Sequence, residues 1–139
     1  MPSRYLDHLS GIRLFSACTK RDLQKIARAT DEIEVEPGRE LTVQGEPGHE
    51  CFVIVDGTAS VVIGDRHVAE LGPGDHFGEL ALLDGGPRTA TVVALTPMHV
   101  LVISQRAFFS LVDEVPGLAR KIMVTLAAQV RELDQATTR

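Results

Sequence analysis

Apolar positions recur along this chain at two spacings, and the change from one to the other divides it. Leu6, Leu9 and Ile12 stand three residues apart. Thr19 then has the form of a helix N-cap with Asp22 at its third position, opening a helix that puts Leu23, Ile26 and Ala27 on one side. From Ile33 the period falls to two, and turn-forming runs recur: EPG at 36–38, GEPG at 45–48, DG at 56–57, GD at 64–65 and GPGD at 72–75. Between them lie the strand-like runs CFVIV, ASVVI and HVAEL, and TVVAL and HVLVI follow after residue 90. Ser104 caps a short helix ending before Pro116, which opens a long helix with Leu118, Ile122, Leu126, Val130 and Leu133 along one face. This order predicts one domain over residues 1–139, mostly β with flanking helices. A helical segment at 1–30 precedes a jelly-roll β-barrel at 31–103, and C-terminal helices occupy 104–139.

Composition narrows the function more than the fold. With 139 residues and 44% hydrophobic content, the chain can fill one ordinary core. A formal charge of −5 without a Lys/Arg cluster argues against direct nucleic-acid binding. The N-terminal run has no apolar core of signal-peptide length, and no stretch approaches the roughly 18 apolar residues of a membrane span. A cytoplasmic protein without membrane contact is expected. Cys18 and Cys51 have no CxxC or His-rich context and read as buried free thiols.

Candidate chemistry concentrates in FGELALLDGGPRTATVVA, residues 77–94, where two opposite charges stand among small and apolar residues. One helical turn starting near Gly78 or Glu79 would aim backbone N–H groups at an anion. Arg88, held after the Gly85-Gly86-Pro87 bend, offers a planar fork of donors suited to a phosphate. Gly78, Ala81 and Ala90 are small enough to let backbone approach a ligand closely. Glu79 would repel a lone phosphate, but an ionised carboxylate is purely an acceptor and suits a hydroxyl beside it. A ribose with a free 2′-hydroxyl and a neighbouring phosphate meets both demands.

This segment closely resembles the phosphate-binding cassette of the cyclic nucleotide-binding domain, here at residues 77–92. QGEPGHECFVIVDGTASVVI is similar to that family's strand-turn-strand core, with Gly45, Gly48 and Gly57 at its turn glycines, and HVAELGPGDHFGE to the strand leading into the cassette. The resemblance covers nearly the whole chain. It implies a regulatory module, not an enzyme, that binds cAMP or cGMP and needs no cofactor. Arg88 would bind the exocyclic phosphate oxygens and Glu79 the ribose 2′-hydroxyl, with close backbone contacts from Gly78, Leu80, Ala81 and Ala90. Val61 and Val68 would wall the base and sugar. Thr89, directly after the arginine, is frequent among cGMP-responsive members and present in cAMP-responsive ones, so the choice of base stays open.

The helix from Pro116 is expected to act as a lid over the base, with Arg131 or Leu133 as contacts beside Val130 and Asp134, and Pro116-Gly117 as hinge. Its apolar stripe can also be shared between two chains of a homodimer. The downstream partner stays open, as does whether the chain acts alone or as one domain of a longer protein. Two other readings stand beside this one. One is an interaction domain of the same fold that has lost its ligand. The other is a cupin-like metalloenzyme built on His76 and Glu79, although His8, His49, His67, His76 and His99 form no HxH pair.

Overall fold

The computed structural model describes residues 4–137. Helix α1 (Arg4–Ser10), a 3₁₀ turn (Arg13–Phe15) and helix α2 (Lys20–Arg28) come first. Strands β1 (Asp31–Val35), β2 (Glu40–Thr42), β3 (Glu50–Asp56), β4 (Ala59–Ile63), β5 (Arg66–Leu71) and β6 (His76–Phe77) follow. A single turn, α3 (Ala81–Asp84), precedes β7 (Thr91–Ala94) and β8 (Met98–Ser104), and helices α4 (Gln105–Glu114) and α5 (Leu118–Thr137) close the described chain. The five strand-like runs of the sequence lie in strands except for Leu95, which follows β7, and the Ser104 cap is present, its Oγ accepting from Ala107 N at 3.1 Å.

The chain divides into two compact units: a β unit, Ala29–Phe109, and a helical unit drawn from the segments through Arg28 and from Ser110. In the β unit the strands form two four-stranded antiparallel sheets, ordered β1-β8-β3-β6 and β2-β7-β4-β5. This is a jelly-roll arrangement of two sheets, each with its own ladder. Their facing side chains make the core, with Val35, Phe52, Ile54, Met98, Val100 and Val102 from one sheet against Ala59, Val92 and Ala94 from the other. Residues 51–54 and 100–103 are buried without a break, so β3 and β8 are covered on both faces. Only β7 shows clean alternation, with Val92 and Ala94 inward.

In the helical unit the expected cap at Thr19 is reciprocal. Asp22 N donates to Thr19 Oγ1 at 3.1 Å, and Thr19 N donates to Asp22 Oδ2 at 2.9 Å. Lys121 Nζ of α5 donates to the same carboxylate oxygen at 2.5 Å. The apolar stripe expected along α5 changes character midway. Leu118 and Ile122 are buried, whereas Val130 and Leu133 are 58% and 67% exposed. Thr125 is buried with them, its hydroxyl donating to Lys121 O at 3.0 Å and so needing no partner beyond its own helix. Farther along, Arg13 pairs with Glu132 at 2.5 Å, both side chains about half exposed, a setting in which an ion pair contributes about 0–1 kcal/mol. Cys18 and Cys51 are free, and burial pushes the Cys18 thiol up to about 11.

The bond from Lys121, with those from Thr19, holds the Asp22 carboxyl below its ordinary value despite burial. A depressed folded value means that the contribution is complete above the unfolded value of about 3.9 and is lost as pH falls through the folded one. Asp22→Asn should therefore lower stability by about 1–2 kcal/mol at pH 7, with the gap to the unsubstituted protein closing as pH drops below about 4. Urea denaturation followed from pH 7 to pH 2 checks both the size and the sign.

Candidate functional site

The β unit carries a cavity of about 490 Å³, within the range of roughly 300–1,000 Å³ typical of small-molecule sites. Gly78, Glu79, Leu80, Ala81, Arg88, Thr89, Ala90 and Val61 all line it. Val68 is not among the lining residues. It sits on edge strand β5 where the register slips, with Val61 opposite Ala69 but Val62 opposite His67, and it is 47% exposed. Such a bulge interrupts the alternation on which a position-in-strand argument depends. Arg131 and Leu133 lie in the helical unit, both exposed.

The path of the chain around Arg88 is set by backbone bonds. Arg88 N donates to Glu46 O at 2.8 Å, Gly45 N to Arg88 O at 2.9 Å, and Gly48 N to Gly86 O at 3.0 Å. These bonds tie the GEPG turn to the GGPR bend, and Pro47 and Pro87 form a bridge at the same place. On the far side, buried Thr42 donates its hydroxyl to Ala90 O at 3.0 Å and accepts from Val92 N at 3.1 Å, fixing the chain as it leaves the arginine.

Two glycines then make room for the guanidinium. A Cβ on Gly48 would stand 2.5 Å from Arg88 Cζ. One on Gly78 would stand 2.6 Å from Arg88 Nη1 and 2.8 Å from Glu50 O, and Gly78 also has a φ of +83°, which side-chain-bearing residues seldom adopt. Beneath, Arg88 Cζ lies 5.8 Å from the centroid of the Phe52 ring, which stacks on Phe77 at 4.9 Å. Nη1 is buried and has no hydrogen-bond partner among the described residues. Burial pushes the guanidinium below its usual value, opposed by Glu50 and then Cys51, yet an arginine keeps its proton in such surroundings. The cavity therefore holds a permanent cation with donor capacity to spare.

The turn leading into α3 begins where the sequence places it: Ala81 N donates to Gly78 O at 3.1 Å and Leu82 N to Glu79 O at 3.2 Å, so the bonded turn starts at Gly78 and Glu79. Gly85 ends the turn in the left-handed region, and Gly86 N donates to Asp84 Oδ1 at 2.8 Å, shaping the bend before Pro87. The Glu79 carboxylate faces the cavity 3.7 Å from His76 Nε2. Sequence reasoning missed Thr42, Phe52 and the packing role of Gly48, all three of which act through tertiary contacts for which the local pattern holds no signal, and it named His76 beside Glu79 only as a metal-site candidate. Among the described residues, no group of three or more His, Cys, Asp or Glu side chains is gathered to hold a metal ion, and no helix is long and apolar enough to cross a membrane.

The chain is similar to known proteins over the same region. Against a cAMP-dependent protein kinase regulatory subunit of Colletotrichum orbiculare it is 35% identical over 119 residues, which are 84% of this chain and 30% of that protein. The chain thus spans under a third of that relative's length. Among solved structures, the N-terminal domain of a transcriptional regulator from Streptomyces coelicolor A3(2) superposes with a TM-score of 0.83 at 26% identity, covering 91% of this chain and 92% of that one. The regulatory domain of Toxoplasma gondii PKA, co-crystallised with cAMP, shares the fold at a TM-score of 0.70 and 24% identity, over 91% of this chain and 49% of that one. The sequence model of the cyclic nucleotide-binding domain matches residues 32–115, more than half of the chain and the whole lining of the cavity, and the chain belongs to that family.

Proposed function

We propose that the cavity binds cAMP or cGMP and that the domain is a regulatory module rather than an enzyme. The observation that carries this reading is the buried, unpartnered Nη1 of Arg88. A donor on a desolvated cation costs about 1–3 kcal/mol or more while unpaired, so it favours a ligand that brings an anionic acceptor to it. In this reading Arg88 forks onto the exocyclic oxygens of the cyclic phosphate and Glu79 accepts the ribose 2′-hydroxyl. Backbone at Gly78, Leu80, Ala81 and Ala90 closes on the sugar-phosphate. Val61, which lines the cavity, walls the base and sugar. Thr89 lines the cavity with an exposed side chain, and in this reading its hydroxyl bonds a guanine.

The signal, in the same reading, passes through α5. A bound purine has a flat apolar face, and the distal part of α5 carries exposed Val130 and Leu133, with Arg131 between them. Gly117, at φ +81°, follows Pro116 as a hinge. A ligand that favours one placement of α5 is, by linkage, bound more tightly when anything else favours that placement. The partner that reads it is a kinase subunit, as the name of the Colletotrichum relative suggests, an attached domain, or a second copy of this chain sharing the exposed stripe. Two free thiols suit the reducing cytoplasm.

Calorimetric titration with cAMP, cGMP and the linear 5′-mononucleotide tests the ligand class, and both cyclic forms should bind more tightly than the linear one. At a hundredfold excess over Kd the cyclic ligand should add about 2.7 kcal/mol of stability. No melting shift with millimolar cAMP or cGMP would contradict the reading. Arg88→Ala should lose about 2–5 kcal/mol of binding, by analogy with truncating one member of a buried charge pair, while the ligand-free melt changes little. Thr89→Ala should cost about 0.5–1.5 kcal/mol for cGMP and little for cAMP, and equal losses would assign Thr89 a structural role. Deleting residues 129–139 should weaken nucleotide binding if α5 covers the base, and an unchanged affinity would remove the lid.

A further inference from the structure

The cavity wall has a charge balance that is unusual for a site taking an anion. Two carboxylates, Glu79 and Asp84, line it against one cation, Arg88. Glu50 on β3 adds a further negative influence on that arginine. The remaining titratable group in the lining is His76. Its Nε2 stands 3.7 Å from Glu79 Oε2, beyond hydrogen-bond length but within ion-pair range, with the two side chains 24% and 30% exposed.

The two residues are held differently. His76 belongs to β6 and is locked in register opposite Val53 of β3. The approach to β6 is pinned again by Gly74 N donating to Ile54 O at 2.8 Å and Ile54 N donating to Asp75 O at 2.9 Å. Glu79, by contrast, follows Gly78 at the start of a single turn. The backbone of His76 is thus held by strand pairing and that of Glu79 by a single turn. Of the other carboxylates, Asp75, its chain neighbour, accepts from Gly72 N, and Asp84 in the cavity lining accepts from Gly86 N, both at 2.8 Å. Val53, its partner on β3, is apolar, and Glu50 on that strand acts on Arg88.

Resting on the reading that this cavity takes a cyclic mononucleotide, we propose that His76 is a positioning residue for the ligand. Its protonated imidazole holds the Glu79 carboxylate toward the ribose hydroxyl and balances the wall's excess negative charge, so affinity for the nucleotide rises as pH falls. The sign follows from charge. The cyclic phosphodiester stays singly anionic through this range, so its arrival favours the charged imidazole, and binding takes up a proton. Histidine is the side chain whose charge ordinarily changes between about pH 5 and 8. The neutral form leaves Glu79 without a cationic partner on its own strand-turn segment.

The test is calorimetric titration of cAMP and cGMP into the full chain between pH 8 and pH 5.5, in buffers of differing ionisation enthalpy, for the unsubstituted protein and for His76→Gln. Glutamine keeps an N–H donor at the position but carries no charge at any of these pH values. The expected result is a tightening of about fivefold on acidification for the unsubstituted protein, the upper end of what a part-exposed ion pair supplies. Net proton uptake should accompany it. His76→Gln should show neither, binding at every pH about as the unsubstituted protein does at pH 8. Affinity without pH dependence or proton uptake in the unsubstituted protein overturns the proposal, whether or not the variant folds. A His76→Gln profile parallel to the unsubstituted one overturns it too, by assigning the effect to another group. Absence of binding at every pH defeats the ligand reading itself, an outcome distinct from tight but pH-independent binding.

Discussion

A guanidinium with one nitrogen sealed from water and from every described acceptor is the constraint around which the β unit is arranged. Taking a cation out of water carries an effective penalty of several kcal/mol, and the fold offsets only part of it here. The Phe52 ring below and the field of Glu50 favour the charge, but neither accepts a bond from Nη1. Glycines leave space beside it, and a ligand bearing an anionic acceptor would complete the bonding.

The jelly roll supplies what a local segment lacks. Three parts of the chain converge on Arg88: the GEPG turn after β2, the Phe52 and Glu50 positions of β3, and the Phe77-Gly78 corner leaving β6. The β3–β6 ladder pairs Phe52 with Phe77, so the stacked rings that floor the arginine follow from sheet register. Thr42, on the other sheet, ties down the strand that leaves the site. Because the arginine is positioned by backbone bonds on both sides and by glycine-sized gaps, its place in the cavity is set by the fold itself.

Much of this was legible in the sequence because the signals are local. Period-two runs between turn glycines located the strands, the Thr19 and Asp22 pair marked a helix start, and the segment carrying Glu79 and Arg88 among small residues lines the cavity. What escaped depended on tertiary register. The resemblance sets Val68 beside Val61 at the ligand, but a bulge lies at that place in the β4–β5 pair and Val68 is outside the cavity lining. The α5 stripe looked uniform, yet only its first half is buried, since burial depends on what the helix packs against and not on its period. Glycine-rich turns read as chain reversals could not announce that Gly48 is small for the sake of Arg88.

A regulatory domain of the cyclic nucleotide-binding family whose cavity holds a cation without an acceptor makes a spectroscopic claim as well as a thermodynamic one. The direct test is nitrogen-15 NMR of the Arg88 side chain, assigned by its loss in Arg88→Lys, with and without saturating cyclic nucleotide, alongside the phosphorus-31 resonance of the ligand. The account predicts that the guanidinium protons shift downfield and exchange more slowly with water on binding, while the phosphorus resonance moves and does so only in the protein that has Arg88. Guanidinium and phosphorus resonances that stay in place while the nucleotide is bound would show that the phosphate lies elsewhere, and would contradict the account at its centre.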